Sequence, residues 1–125
     1  MPAPDLAAVA RDIRAWALEL GFTAAGISAP DLDQDTEHLK RWLASGHHGE
    51  MGYMRRHPEL RAHPERLHPG TIRVISVRMD YLPDEPAPLG LLEQPEQAFV
   101  SRYALGRDYH KVIRRKLQKL ADRIT

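Results

Sequence analysis

Apolar residues recur at three- and four-residue steps near both ends of this chain. Leu6, Val9, Ile13, Trp16, Ala17 and Leu20 form one series, with Asp5 placed to cap it and Gly21 to end it. Val112, Ile113, Leu117, Leu120 and Ile124 form the other, behind Asp108 as cap and with Lys and Arg outside. Both patterns predict amphipathic helices. A shorter series, Leu39, Trp42 and Leu43, predicts a third between Asp35 as cap and Gly46 as stop.

Strand patterns are fewer. Phe22 to Ser28 predicts a short strand, ended by Pro30. Thr71 to Tyr81 is the strongest, since Ile72, Val74, Ile75 and Val77 occupy both faces and predict burial on both sides near its start. Phe99 to Ala104 predicts one more strand, followed by a turn at Gly106. Between these lie two proline-rich stretches. His47 to Gly70 holds three His-Pro dipeptides, at His57, His63 and His68, and a residue before proline is pushed out of the α region. A short helix over Met51–Arg56 and then turns are expected, with Pro58 and Pro64 each opening a brief helical turn. Leu82 to Gln97 carries Pro83, Pro86, Pro88 and Pro95 and predicts a surface loop. The order of elements predicts an α+β fold, with a small, incomplete sheet of about three strands flanked by helices. So thin a sheet under several apolar helix faces, with an abrupt end to the last helix, points to a fold that continues past Thr125.

Composition narrows the class. A length of 125 residues suits one domain, with 42% apolar and 28% charged residues. No run approaches the roughly 18 apolar residues of a membrane span. The start, Met1 to Asp5, lacks a secretory signal's basic and apolar regions, so a soluble cytoplasmic monomer is expected. There is no cysteine, which excludes disulfides, a Cys nucleophile and any cluster ligated by this chain's own thiolates. The net charge of +1 gives no bulk reason to invoke nucleic acid, yet the charge is uneven. Arg102 to Thr125 holds eight basic residues against Asp108 and Asp122, a net +6, which leaves −5 on the preceding 101 residues.

Three constellations are candidates for chemistry. Five of seven histidines fall between His47 and His68. Adjacent His47 and His48 point apart, and the other three precede prolines, so turn roles are expected and no metal site. Arg55, Arg56, Arg61 and Arg66 share that stretch and suit either anion capture or plain surface charge. Ser101 to His110 runs from the predicted strand into a helix start. Exposed N–H groups there, with Arg107, could hold an anion, whereas Asp108 could cap the same groups. Tyr109 and His110 add a hydrogen-bonding pair and a group that titrates near neutral pH. A polar site is expected; its ligand stays open.

Longer strings carry a resemblance. Gly49-Glu50-Met51-Gly52-Tyr53-Met54 with Arg56-His57-Pro58-Glu59-Leu60-Arg61 closely resembles the N-terminal region of epoxyqueuosine reductases. So do Pro69-Gly70-Thr71 running into Arg73 to Met79, and Ser101 through His110. The resemblance covers essentially the whole chain and about the first third of a complete member. It implies residues 1–125 are the N-terminal part of a cobalamin-binding reductase domain, with the ferredoxin-like domain of two [4Fe-4S] clusters absent from this chain. The activity implied is reduction of epoxyqueuosine to queuosine at the tRNA wobble position, with the electron donor unspecified. Arg61 and Ser101 align with cobalamin-contacting positions, and Gly106, Arg107, Asp108, Tyr109 and His110 match a signature lining the same region. The family's proton-donating Asp falls past Thr125, so no catalytic residue is assigned and Asp108 does not take that role. The 125 residues alone are expected to be inactive. Other readings are a corrinoid- or RNA-binding module without catalysis, and a folded remnant with no ligand. The basic last helix, through Arg114 and Arg115, could face tRNA phosphates.

Overall fold

A computed structural model describes residues 3–81 and 88–125. Its helices are α1 (Leu6–Glu19), α2 (Asp33–Ala44), α3 (Pro58–Ala62), α4 (Pro64–Leu67), α5 (Pro88–Leu92) and α6 (Tyr109–Ile124). Its strands are β1 (Ala24–Ser28) and β2 (Val74–Arg78), and single 3-10 turns occupy Gly52–Arg55 and Arg102–Ala104. The chain divides into two compact units, Met1–Gly26 with Val77–Thr125, and Ile27–Ser76. β1 and β2 pair antiparallel in a two-stranded sheet, and the unit boundary falls inside both strands. The fold is α+β with a sheet smaller than expected. Among the described residues no helix is long and apolar enough to cross a membrane.

In the first unit the helices form where periodicity puts them. Asp5 Oδ1 accepts from the amides of Ala7 and Ala8, at 2.9 and 3.1 Å, and so satisfies two donors that a helix start leaves orphaned. Gly21, at φ +84°, ends the helix in the left-handed region. α1 packs on α6 around Ala17, Phe22 (3% exposed) and Leu120 (2%), with Trp16, Leu20, Ala25, Val77, Met79 and Ile113 against them. Arg123 Nη1 meets Glu19 Oε2 at 2.6 Å across the pair, and Lys116 Nζ lies 5.9 Å from the Phe22 ring centroid. The apolar seam of α6 is only half used, since Leu117 and Ile124 remain exposed. At the sheet's end, the Thr23 amide donates to the Arg78 carbonyl at 2.7 Å, and the Asp80 amide donates to Thr23 Oγ1 at 3.0 Å.

Three strand and loop expectations need correction. Phe99–Ala104 is not a strand. Ala104 N bonds Ser101 O at 2.9 Å and Leu105 N bonds Arg102 O at 3.1 Å, so local turn bonds satisfy the backbone that a ladder would have used. β2 is shorter than Thr71–Tyr81, and Ile72 is 62% exposed instead of buried. The Thr71 hydroxyl donates to the His68 carbonyl at 2.6 Å, which ties that end of the segment to the preceding turn. The loop expected over Leu82–Gln97 contains α5, opened by Pro88, where a missing N–H costs nothing; its 82–87 portion lies outside the described residues.

The second unit is built from turns. α2 begins two residues before the expected Asp35, with Leu32 at the cap position and no side-chain cap bond. Asp31 Oδ1 accepts from Asp33 N at 3.2 Å, and Asp33 and Asp35 sit in the first turn, where the helix dipole favours negative charge. The helix expected over Met51–Arg56 is the 3-10 turn Gly52–Arg55. Pro58 and Pro64 open α3 and α4 as predicted. His57 takes a left-handed φ of +52°, a conformation strained for a residue with a Cβ. Among the described residues of this unit the only buried one is His48 (4% exposed), beside Trp42 and with no partner for Nδ1.

Candidate functional site

The sequence-predicted site residues divide between the units. Ser101 and Gly106–His110 lie in the first and Arg61 in the second.

Ser101 is exposed and precedes a 3-10 turn instead of ending a strand. Gly106, at φ +80°, redirects the chain into α6. Asp108 then acts as the helix cap: Oδ1 accepts from the His110 amide at 3.0 Å and lies 2.9 Å from His110 Nδ1. These hydrogen bonds, from the His110 side chain first and its backbone second, hold the Asp108 carboxyl below its ordinary pKa. Of the two roles left open for this helix start, capping by the chain's own carboxylate is the one adopted.

The same residues order a set of rings. Tyr109 stacks on His110, with ring centroids 4.0 Å apart and planes 26° apart. The Tyr103 ring meets Tyr109 edge-on at 6.1 Å and 77°. Tyr81, Tyr103, Tyr109, Met79 and Ile113 line a cleft of about 350 Å³. Met79 and Tyr81 were missed at the sequence level, and Tyr103 had no role of its own. Their spacing carries no periodic signal; the turn at Gly106 and the end of β2 bring them to α6.

On the outer side of α6, Arg107, Asp108, Lys111, Val112 and Arg115 line an open groove of about 510 Å³. Lys111 and Arg115 lie four residues apart on α6 and so share one face, and Arg107, just before the cap, lines the same groove. Arg115 was singled out from sequence together with Arg114. Arg115 lines this groove with Lys111, whereas Arg114 is not among its lining residues.

In the second unit, Arg61 Nε donates to the Arg56 carbonyl and Nη2 to the Tyr53 carbonyl, both at 3.2 Å. Its guanidinium therefore closes the Gly52–Arg55 turn onto α3, while Nη1 makes no hydrogen bond among the described residues. Arg61 also lines a cleft of about 480 Å³ between α2 and α3, with Lys40, Glu37, Glu59 and Met54. The Lys40 and Glu37 side chains pair at 2.7 Å, which lowers the Glu37 pKa and raises that of Lys40. Arg66 pairs with Glu59 at 3.1 Å, and His63 Nδ1 lies 3.2 Å from Glu65 Oε1. Among the described residues no three His, Asp or Glu side chains converge to hold a metal ion.

Comparison with known proteins gives this arrangement a context. A family model described as "Epoxyqueuosine reductase QueG, DUF1730" matches residues 61–125. An epoxyqueuosine reductase of Pseudomonas aeruginosa is 55% identical over 121 residues, covering 97% of this chain and 34% of the relative. Relatives of the same name are 54% identical over 116 residues in Aliivibrio fischeri and 52% over 120 in Escherichia coli. They cover 93% and 96% of this chain, and 31% and 32% of the relatives. The chain thus spans about a third of the length of the curated relatives it matches. No solved structure matches it. With the cleft and the basic stripe both inside the matched region, the chain belongs to the epoxyqueuosine reductase family, QueG, DUF1730.

Proposed function

We propose that the chain forms the N-terminal part of a cytoplasmic, cobalamin-dependent reductase that converts epoxyqueuosine to queuosine at the tRNA wobble position. The observation that carries this reading is identity of 52–55% along nearly the whole chain to proteins named epoxyqueuosine reductase. Reduction of an epoxide to an alkene removes its oxygen as water and consumes two electrons and two protons. A bound cobalamin supplies a strongly reducing metal centre for such chemistry.

The residues present fit part of this requirement. Among the described residues Arg61 keeps one guanidinium nitrogen free of hydrogen bonds, suited to an amide or phosphate oxygen of the corrinoid. Ser101 offers an exposed hydroxyl on a small side chain, which leaves room for a bulky ring. The carboxylate of Asp108 caps α6, which supports leaving the proton-donor role to a residue past Thr125. Iron–sulfur clusters do not fit these 125 residues, which contain no thiolate. The basic stripe of α6 suits the phosphates of an RNA substrate.

A chimera tests the reading. This chain replaces the matching third of the Pseudomonas aeruginosa epoxyqueuosine reductase in a strain lacking its own enzyme. Nucleoside mass spectrometry of tRNA should then show queuosine restored, whereas the 125 residues alone should leave epoxyqueuosine unreduced. A soluble chimera that leaves epoxyqueuosine unreduced overturns the assignment.

A further inference from the structure

We propose that the tyrosine cleft of the first unit is a stacking slot for a nucleobase of the RNA substrate. This rests on the tRNA reading above and adds where the RNA is held. The chain has only eight aromatic residues, two Trp, four Tyr and two Phe, and three of them line this one cleft. Two of the three, Tyr81 and Tyr103, leave more than half of their surface in water, although the partly buried Met79 and Ile113 line the same cleft. An aromatic ring kept exposed forgoes burial that would stabilise the fold, and grouped exposed rings are a mark of ligand contact.

The slot is also ordered before any ligand arrives. Tyr109 is held between the His110 ring at 4.0 Å and the Tyr103 edge at 6.1 Å, and Asp108 fixes His110 at 2.9 Å. Among the described residues none of the three phenol hydroxyls has a hydrogen-bond partner, so each is open to a heterocycle's ring nitrogens and carbonyls. Met79 and Ile113 supply an apolar surface. The volume, about 350 Å³, lies at the lower end of the range for small-ligand sites.

Charge selects the class of ligand. The segment from Arg102 to Thr125 is net +6, and the outer groove is lined by Lys111 and Arg115 of α6 and by Arg107 just before its cap. A ligand with flat π faces and many negative charges satisfies both features, and single-stranded RNA is that ligand. At 3.6 residues per turn, Lys111 and Arg115 lie about 200° around the helix from Tyr109 and Ile113. The slot and the stripe therefore engage different nucleotides, with one base inserted and the phosphates of others held outside.

The experiment uses the full 125-residue chain with two probes: an anticodon stem-loop RNA carrying 2-aminopurine at the wobble position, and the free 2-aminopurine riboside. Stacking should quench the fluorophore in the complex. Tyr103→Ala and Tyr81→Ala should each weaken RNA binding by about tenfold, the scale of one base–aromatic stack, and restore emission. Tyr103→Phe, which keeps the ring, should stay within about twofold of the parent. Both truncated side chains are more than half exposed, so neither change removes core packing, and circular dichroism checks this. If RNA binds without quenching, or the alanine variants bind and quench like the parent, the slot is overturned while the tRNA reading stands. If the riboside is quenched in a tyrosine-dependent way but the stem-loop does not bind, the slot stands and the tRNA reading falls. Absence of binding by both probes overturns the slot.

Discussion

The two units of this chain reach an ordered structure by different means. The first buries Ile13, Ala17, Phe22 and Leu120, contributed by α1, α6 and the turn after α1. The second, Ile27–Ser76, has no apolar residue buried to that degree among those described. It relies on prolines that open α3 and α4, on the two carbonyls held by Arg61, and on surface pairs such as Arg66–Glu59. Exposed pairs of that kind contribute about 0–1 kcal/mol each. A unit held mainly by local turns is therefore expected to open at lower cost than one held by a core. Its one buried group, His48, reinforces the contrast, since its Nδ1 is unpartnered. A buried polar atom without a partner subtracts from stability.

Substitutions can break or sharpen this comparison. The largest effect belongs to the core. Phe22→Ala should destabilise the first unit by about 3–5 kcal/mol, read from urea unfolding followed at Trp16. A loss below about 1 kcal/mol would mean that Phe22 is not packed as described.

Next comes Arg61→Ala in the second unit. It removes two carbonyl bonds and should cost about 1 kcal/mol. Hydrogen exchange around Tyr53–Arg56 should accelerate while amides of α1 and α6 keep their protection. Uniform acceleration through both units would show that the two do not differ in the way argued here.

The smallest effect concerns the cap of α6. The folded-state pKa of Asp108 lies below its ordinary value of 3.8, so its charge contributes to stability above that value. The contribution is lost as pH falls through the depressed folded value. The thermal midpoint of the parent should exceed that of Asp108→Asn at neutral pH, and the gap should close as the pH drops below 3.8. A gap that is independent of pH would remove the charge from the explanation.

How far the sequence could be read depended on the range of the interactions. The Asp5 and Asp108 caps, the Gly21 stop and the proline starts at Pro58 and Pro64 each involve a few neighbouring residues, and all were legible. The Phe99–Ala104 strand was misread because strand propensity has effect only where a neighbouring strand offers a ladder, and turn bonds closed the segment first. The width of the α6 seam was overestimated for a related reason. Periodicity marks which face is apolar but not how much of it finds a neighbour.

The candidate site divides along the same line. Residues 101–110 could be singled out because they form one continuous string into a helix start, and that string also carried the family resemblance. Arg61 was visible as a loop arginine, but its two carbonyl partners follow from how the Tyr53–Arg56 turn closes. The tyrosine cleft could not be seen. Tyr81 and Tyr103 are 22 positions apart in sequence, with a proline-rich stretch between them.

Sequence alone determined the terminal helices, their caps, the absence of thiolate ligands and membership of the reductase family, because each depends on residue identity at short range or on long matched strings. Tertiary structure alone decided that three tyrosines share a cleft, that Asp108 caps α6 with His110 beside it, and that among the described residues two strands, not three, make the sheet. Those outcomes depend on which distant segments meet, and burial and backbone pairing select that only after the chain has folded.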